Sequence, residues 1–305
     1  MNGMSHSRSL KGILFWTLGI VYLASFVIIA TALAGVIYHD QVTVWRERHA
    51  EAATVSARML TMFLDRAQQM LTTIGELDYA EDADMAKDVE RVLLSDTSRT
   101  VLEVVQVDGQ GRVVGSAFRA ASVLTDVFAV RQSNWFHSAH EGETYLGPIQ
   151  ISPSGVPYTV MAIPYRDGGV VAARLDMRIL WDLVGDMHFG RTGKIYILNQ
   201  HGRMVAHDEP AFVLANTSLG QRPEFLAFLQ AQAAEAHATW SDTYENFEHK
   251  RVLGMFTTLP GTNWVVVTEI LSSEIYGASL RAVLVLAAGM LLLGLLVMLL
   301  MTPIL

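Results

Sequence analysis

Two stretches of this chain, VVQVDGQGRVVGSA at residues 104–117 and IYILNQHGRMVAHD at residues 195–208, decide the fold because they are copies of one pattern. At an offset of 91, Gly111 falls on Gly202, Arg112 on Arg203 and Val114 on Val205. Each copy sets β-branched and aromatic residues on both sides of DGQG or NQHG. The Gly and Asn or Asp of those tetrapeptides tolerate positive φ, so each copy reads as strand, tight turn, strand. A second pair lies downstream: VPYTVMAIPYRDGGVVAARLDM at 156–177 and KRVLGMFTTLPGTNWVVVTEIL at 250–271, each a strand, a Gly-containing turn and a strand. The spacing predicts two tandem α+β modules of about 90 residues. Helical connections at 179–187 and 222–236 would cross one face of each antiparallel sheet and leave a concave face for a small molecule.

Upstream of the repeat, Val55, Met59, Phe63, Ala67, Met70 and Ile74 recur every three or four residues, with Arg58, Asp65, Arg66 and Gln69 between them. This periodicity predicts one long amphipathic helix. Its stripe is either a seam between two copies of the chain or a surface that packs on the protein's own core.

Further out, residues 12–38 and 282–305 contain no Asp, Glu, Lys or Arg. They account for an apolar share of 51% and a mean hydropathy of +0.30. A hydrocarbon core roughly 30 Å thick needs about 20 helical residues, so each run is long enough to span. The sequence Ala32-Leu33-Ala34 before Gly35 resembles a signal-peptidase site, but the first run is much longer than a signal h-region of roughly 7–15 residues. Arg8 and Lys11 precede it without an acidic residue and should hold the N-terminus in the cytoplasm. A two-pass protein of the cell membrane is expected, with residues 39–281 outside and the chain ending where a cytoplasmic output domain would begin. That outer segment has 20 basic and 30 acidic residues, net −10, which argues against nucleic acid or anionic lipid as its partner. There is no Cys, which excludes disulfides, Cys-based zinc sites and a thiol nucleophile.

From Trp135 the chain runs WFHSAHEGETYLGPIQISPSGVPYTVMAIPYRDGGVVAARLDM, then GRTGKIYILNQHGRMVAHDE, and closes with PGTNWVVVTEI. The ordered series ISPSG, GRTG, HGRMVAH and PGTNW resembles the double Cache family of extracytoplasmic sensor domains over about residues 40–275. The resemblance implies an α+β fold in which a long N-terminal helix carries two tandem PAS-like antiparallel-sheet modules between two transmembrane helices. The segments would be a cytoplasmic N-terminus (1–11), a first span (12–38), a stalk helix and connection (39–100), a membrane-distal module (101–178), a membrane-proximal module (179–275), a second span (282–302) and the start of a linker (303–305). Residues 302–305, TPIL, also resemble the opening of a HAMP linker. By this resemblance the chain is the small-molecule sensing part of a receptor of the histidine kinase, chemoreceptor or cyclic-dinucleotide enzyme type. It would act as a homodimer and carry no catalytic residues and no cofactor.

Amino-acid-binding members of the family carry Arg-x-Trp-Tyr, whose Arg grips the ligand carboxylate, and a downstream Asp for the amino group. Here the matching stretch is Ser133-Asn134-Trp135-Phe136 and the matching acid is Asp176. Ser133 replaces the Arg and Phe136 the Tyr, so the carboxylate clamp is missing unless Arg131 supplies it. An amine-bearing or neutral polar ligand is therefore expected, with Trp135 as an aromatic wall and Asp176 as the counter-charge. Trp135 and Phe136 are equally readable as core aromatics, and Asp176 as a structurally paired acid. His137 and His140 share a helical face without a third metal ligand nearby, and His201 and His207 are expected to face solvent. No GxSxG, HExxH or P-loop motif is present, which disfavours an anchored enzyme. A protein that docks another membrane protein remains the alternative to a sensor.

Overall fold

A computed structural model describes residues 10–76, 85–119, 124, 127–235 and 239–301. The first element, α1 (Leu10–Gly75), is a single 66-residue helix. No proline occurs before Pro148, so nothing in the sequence breaks its hydrogen-bond ladder. After α2 (Met85–Ser95) come β1 (Val101–Val107), β2 (Val113–Phe118), α3 (Val127–Gln132), α4 (Asn134–His140), β3 (Tyr145–Leu146), β4 (Gln150–Ile151), β5 (Pro157–Pro164) and β6 (Val170–Asp176). These strands make one sheet in the order β2-β1-β6-β5-β3, with β4 also paired to β5. The chain continues through α5 (Met177–Asp186), β7 (Lys194–Asn199), β8 (Met204–Ala206), α6 (Pro210–Leu214), α7 (Pro223–Ala234), β9 (Trp240–Glu245), β10 (Arg251–Thr258), β11 (Trp264–Leu271) and α8 (Ser272–Met301). The second sheet has the order β8-β7-β11-β10-β9.

The repeated hairpins are β1–β2 and β7–β8, both antiparallel. Their equivalent glycines, Gly111 and Gly202, have φ of +75° and +73°, a region that costs a side-chain-bearing residue free energy. The downstream pairs are β5–β6 and β10–β11. What the local pattern does not contain is the pairing of β1 with β6 and of β7 with β11, which closes each sheet.

Strands β5 and β6 are buried along nearly their whole length, because each sheet is covered on both faces. Along the first sheet Val104, Met161, Ile163, Val171, Ala173 and Leu175 join a core that runs along α1 and into the second sheet. The alternate residues Val105, Val107, Tyr158, Val160, Ala162, Val170 and Ala172 pack under α4 in a separate cluster. The seam of α1 lies about one residue from the expected stripe. Ala53, Ser56, Leu60, Leu64, Ala67, Leu71 and Ile74 are buried, whereas Val55 and Met59 are exposed together with Met62. Apolar residues occupy two faces of this helix, and the sheets cover only one of them.

The first charge-free run lies in α1 and most of the second in α8. Near the far ends of these helices Tyr22 donates a hydrogen bond to the carbonyl of Met290 at 2.7 Å. Among the described residues, no helix is long and apolar enough to cross a membrane. Many side chains of both runs, including residues 12–16 and 297–301, are not described, and Arg8 and the linker-like residues 302–305 also lie outside the described residues. The two-span topology therefore rests on the sequence.

Candidate ligand-binding site

The face of the first sheet turned away from α1 carries Trp135 and Phe136, whereas Arg131 lies over the β1–β2 turn at one end of β1 and Asp176 pairs beside Thr100 at the other. Ser133 is the N-cap of α4: its Oγ accepts the Phe136 N–H at 3.3 Å and donates to the Val130 carbonyl at 2.7 Å. The residue that stands in the place of the family's Arg thus holds the helix in position. Behind it Trp135 and Phe136 are buried against the sheet, edge to face with ring centroids 6.2 Å apart. Phe136 stacks on His140 at 5.4 Å, and a ring nitrogen of His140 lies 2.6 Å from the Gly168 carbonyl. His137 is exposed, and no group of metal-ligating side chains occurs among the described residues. Arg131 is exposed, and its stem lies over Gly111 of the β1–β2 turn.

Asp176 is buried, yet its carboxylate is already committed. It caps α5 by accepting the Arg178 N–H at 2.9 Å, and it holds the Arg178 guanidinium through Nε at 3.0 Å and Nη2 at 2.6 Å. The carboxylate is thus paired within the chain, the structural one of the two readings that the sequence leaves open.

Sequence reasoning passed over the charges that do face Trp135's side of the sheet. Glu103 on β1 and Arg174 on β6 are directly opposed cross-strand partners, with Nε to Oε2 at 3.6 Å. Their side chains are 0% and 4% exposed. Glu103 Oε1 accepts the Leu124 N–H at 3.0 Å. The Arg174 guanidinium lies 5.2 Å from the centre of the Tyr158 ring, and Tyr158 donates its hydroxyl to Gln150 at 2.8 Å. Burial pushes the Tyr158 phenol above its ordinary pKa, helped by Glu103 and opposed by Arg174, so the ring stays neutral beside the pair. The signal was present in the sequence: Glu103 is the one charge inside VLEVVQV, and Arg174 is a charge in the interior of VVAARLD, whose other charge, Asp176, closes the strand.

The corresponding face of the second sheet carries a carboxylate of another kind. Glu269 accepts hydrogen bonds from Tyr196 and Tyr244 through Oε1 and from Asn246 through Oε2, each at 2.7 Å. Burial raises its pKa in spite of these donors. His201 is exposed as expected, but His207 is fully buried. Its ring packs edge-on to Phe212 at 4.9 Å, and Nδ1 accepts the Glu209 N–H at 2.9 Å. The residue follows β8 directly into the turn before α6, and that helix folds over it.

Two sheets of this order threaded on one long helix, with a covered polar site on the first, define a tandem sensor-domain architecture. A family model described as the Cache domain matches residues 39–279, and the chain belongs to that family. The fold is also similar to solved chemoreceptor ligand-binding domains. The domain of Campylobacter jejuni Tlp3 in complex with 4-methylisoleucine aligns with a TM-score of 0.55 at 15% identity, covering 78% of this chain and 94% of that one. That of Pseudomonas aeruginosa PAO1 PctB with L-Gln gives 0.54 at 16% identity, covering 75% and 91%. That of Pseudomonas fluorescens CtaA with L-alanine gives 0.51 at 18% identity, covering 74% and 96%. The chain is therefore a Cache sensor domain, a non-catalytic ligand-binding module of the kind found in membrane receptors.

Proposed function

We propose that this chain is the sensory input part of a two-span receptor, with residues 39–281 outside the cell. A small ligand would bind over the first sheet, and the second sheet and α8 would pass the change to the second span. One observation carries the reading: the Glu103–Arg174 pair buried under the aromatic cover of α4. Two desolvated charges cost several kcal/mol each, and a core of apolar residues would fill the same space at no such cost. Their retention makes sense if a ligand with its own charges exchanges with them.

A zwitterion fits best, with its carboxylate on Arg174 and its ammonium group on Glu103. This departs from the amine preference that Asp176 suggested, because Arg178 already occupies that carboxylate. The amino-acid ligands named for the Tlp3, PctB and CtaA domains support the same class. The docking alternative is favoured by the tight packing of Trp135 and Phe136, 8% and 7% exposed.

The two readings separate in a thermal-shift screen of the full chain in detergent against amino acids, amines and organic acids. A ligand that binds only the folded state should add about 2.7 kcal/mol at a hundredfold excess over its Kd. That gain should vanish in the double variant Glu103→Gln/Arg174→Gln. A screen without any shift would favour docking.

A further inference from the structure

A cleft of about 590 Å³ opens between the two sheets, and neither Glu103 nor Arg174 lines it. One wall is the β3–β4 segment of the first sheet, including Ile149; the other is the β7–β8 hairpin with the end of α6. Its floor is aromatic and fixed. Trp181 and Trp264 are both nearly buried, and the Trp181 indole N–H donates to the Val205 carbonyl at 2.9 Å. The volume is in the range that small-molecule sites occupy.

The charged and fully assigned polar groups of this cleft favour an anion. In a domain of net charge −10, no Asp or Glu lines it, and Arg203 stands at its edge. Among the described residues no carboxylate lies within ion-pair distance of Arg203, whose guanidinium donates only to Asn216 Oδ1, at 3.3 Å. Asn199 Oδ1 is spent on the backbone N–H groups of His201 and Arg203. With both amide oxygens occupied, Asn199 and Asn216 have their NH₂ groups left to offer. Donors and a cation above an aromatic floor suit an anion with an apolar body.

We propose that this cleft is a second binding site, distinct from the one on the first sheet, and that it takes a small organic carboxylate. The carboxylate pairs with the Arg203 guanidinium, which presents a planar fork of donors to it. The apolar body lies over Trp181 and Trp264. A ligand seated there touches both modules, and any factor by which it changes the affinity of the first site is returned by the first ligand in full.

Calorimetric titration of the full chain in detergent with benzoate and phenylacetate tests this, with benzamide as the neutral counterpart. Saturable binding of the two acids is expected, at least tenfold weaker for benzamide and at least tenfold weaker in Arg203→Gln. Arg203 is exposed, so this variant should melt like the parent. Leu214→Trp, which narrows the cleft from an exposed position, should weaken binding without touching the charge. The double variant Glu103→Gln/Arg174→Gln should bind both acids as the parent does. Absence of saturable binding, equal binding of benzamide, or loss in the double variant instead of in Arg203→Gln would overturn the proposal.

Discussion

At the scale of single residues, the informative groups are those buried at a cost. Removing one partner of the Glu103–Arg174 pair strands the other, so Arg174→Met alone should destabilise by about 3–5 kcal/mol. Glu103→Leu/Arg174→Met should recover most of that loss while still failing to bind ligand, and denaturant unfolding of the three variants measures the difference. His49 is a second case. It is fully buried on α1, neither ring nitrogen has a hydrogen-bond partner among the described residues, and Phe189 packs on it at 4.7 Å. Burial lowers its pKa from 6.5 to about 4. Because the folded state resists protonation, the unfolded chain takes up the proton first as pH falls below 6.5. Stability contributed by the neutral ring is whole above that pH and declines toward pH 4 by roughly 3 kcal/mol. The variant His49→Leu should show a correspondingly smaller loss of unfolding free energy between pH 7 and pH 4.5, and an unchanged loss would assign the acid sensitivity to other groups. The two charged strand residues can be seen in the sequence, but their pairing cannot, nor can the burial of His49. Glu103 and Arg174 lie 71 positions apart, and only the β1–β6 pairing puts them opposite each other.

At the scale of elements, α1 shows how much periodicity can and cannot settle. Its helical character was legible from residues 55–74, but the burying face was misplaced by about one position, since apolar side chains occur on both sides of it. The uncovered side presents Val55, Met59 and Met62 at spacings of four and three, in line on one face. That face suits a second copy of the stalk. Met59→Glu/Met62→Glu should convert a dimer to a monomer in sedimentation analysis while leaving the melting temperature of the fold nearly unchanged, because both positions are solvent-facing. A dimer that survives the change would place the interface elsewhere. Helix α4 adds a related point: Ser133, which stands where the family's Arg would be, also caps the helix through its hydroxyl, a role worth about 1 kcal/mol in general.

At the scale of the whole molecule, topology is the outstanding expectation. Two charge-free runs and the Arg8 and Lys11 flank predict that residues 39–281 lie outside. Reporter fusions at Gln41 and Ser241 should both read as exported, and two cytoplasmic signals would refute the arrangement. Tyr22 bonding to Met290 shows that the two apolar runs lie side by side, with Gly294 leaving room for the Tyr22 ring. Movement of α8 would thus reach α1 through Tyr22 and the second module through Glu274, which accepts the Arg191 N–H and the Thr192 hydroxyl at the start of α8.

By itself the sequence determined the repeat, the hairpins with their positive-φ glycines, the long helix and the uneven placement of charge. All of these are written in neighbours a few residues apart, or in copies compared at a fixed offset. Tertiary structure alone decided which face of α1 is buried, that Asp176 belongs to Arg178 and that His207 is interior. It also decided that the charges beneath Trp135 are Glu103 and Arg174. These are outcomes of strand pairing and of burial, and a side chain's cost or use depends on what the distant chain lays against it.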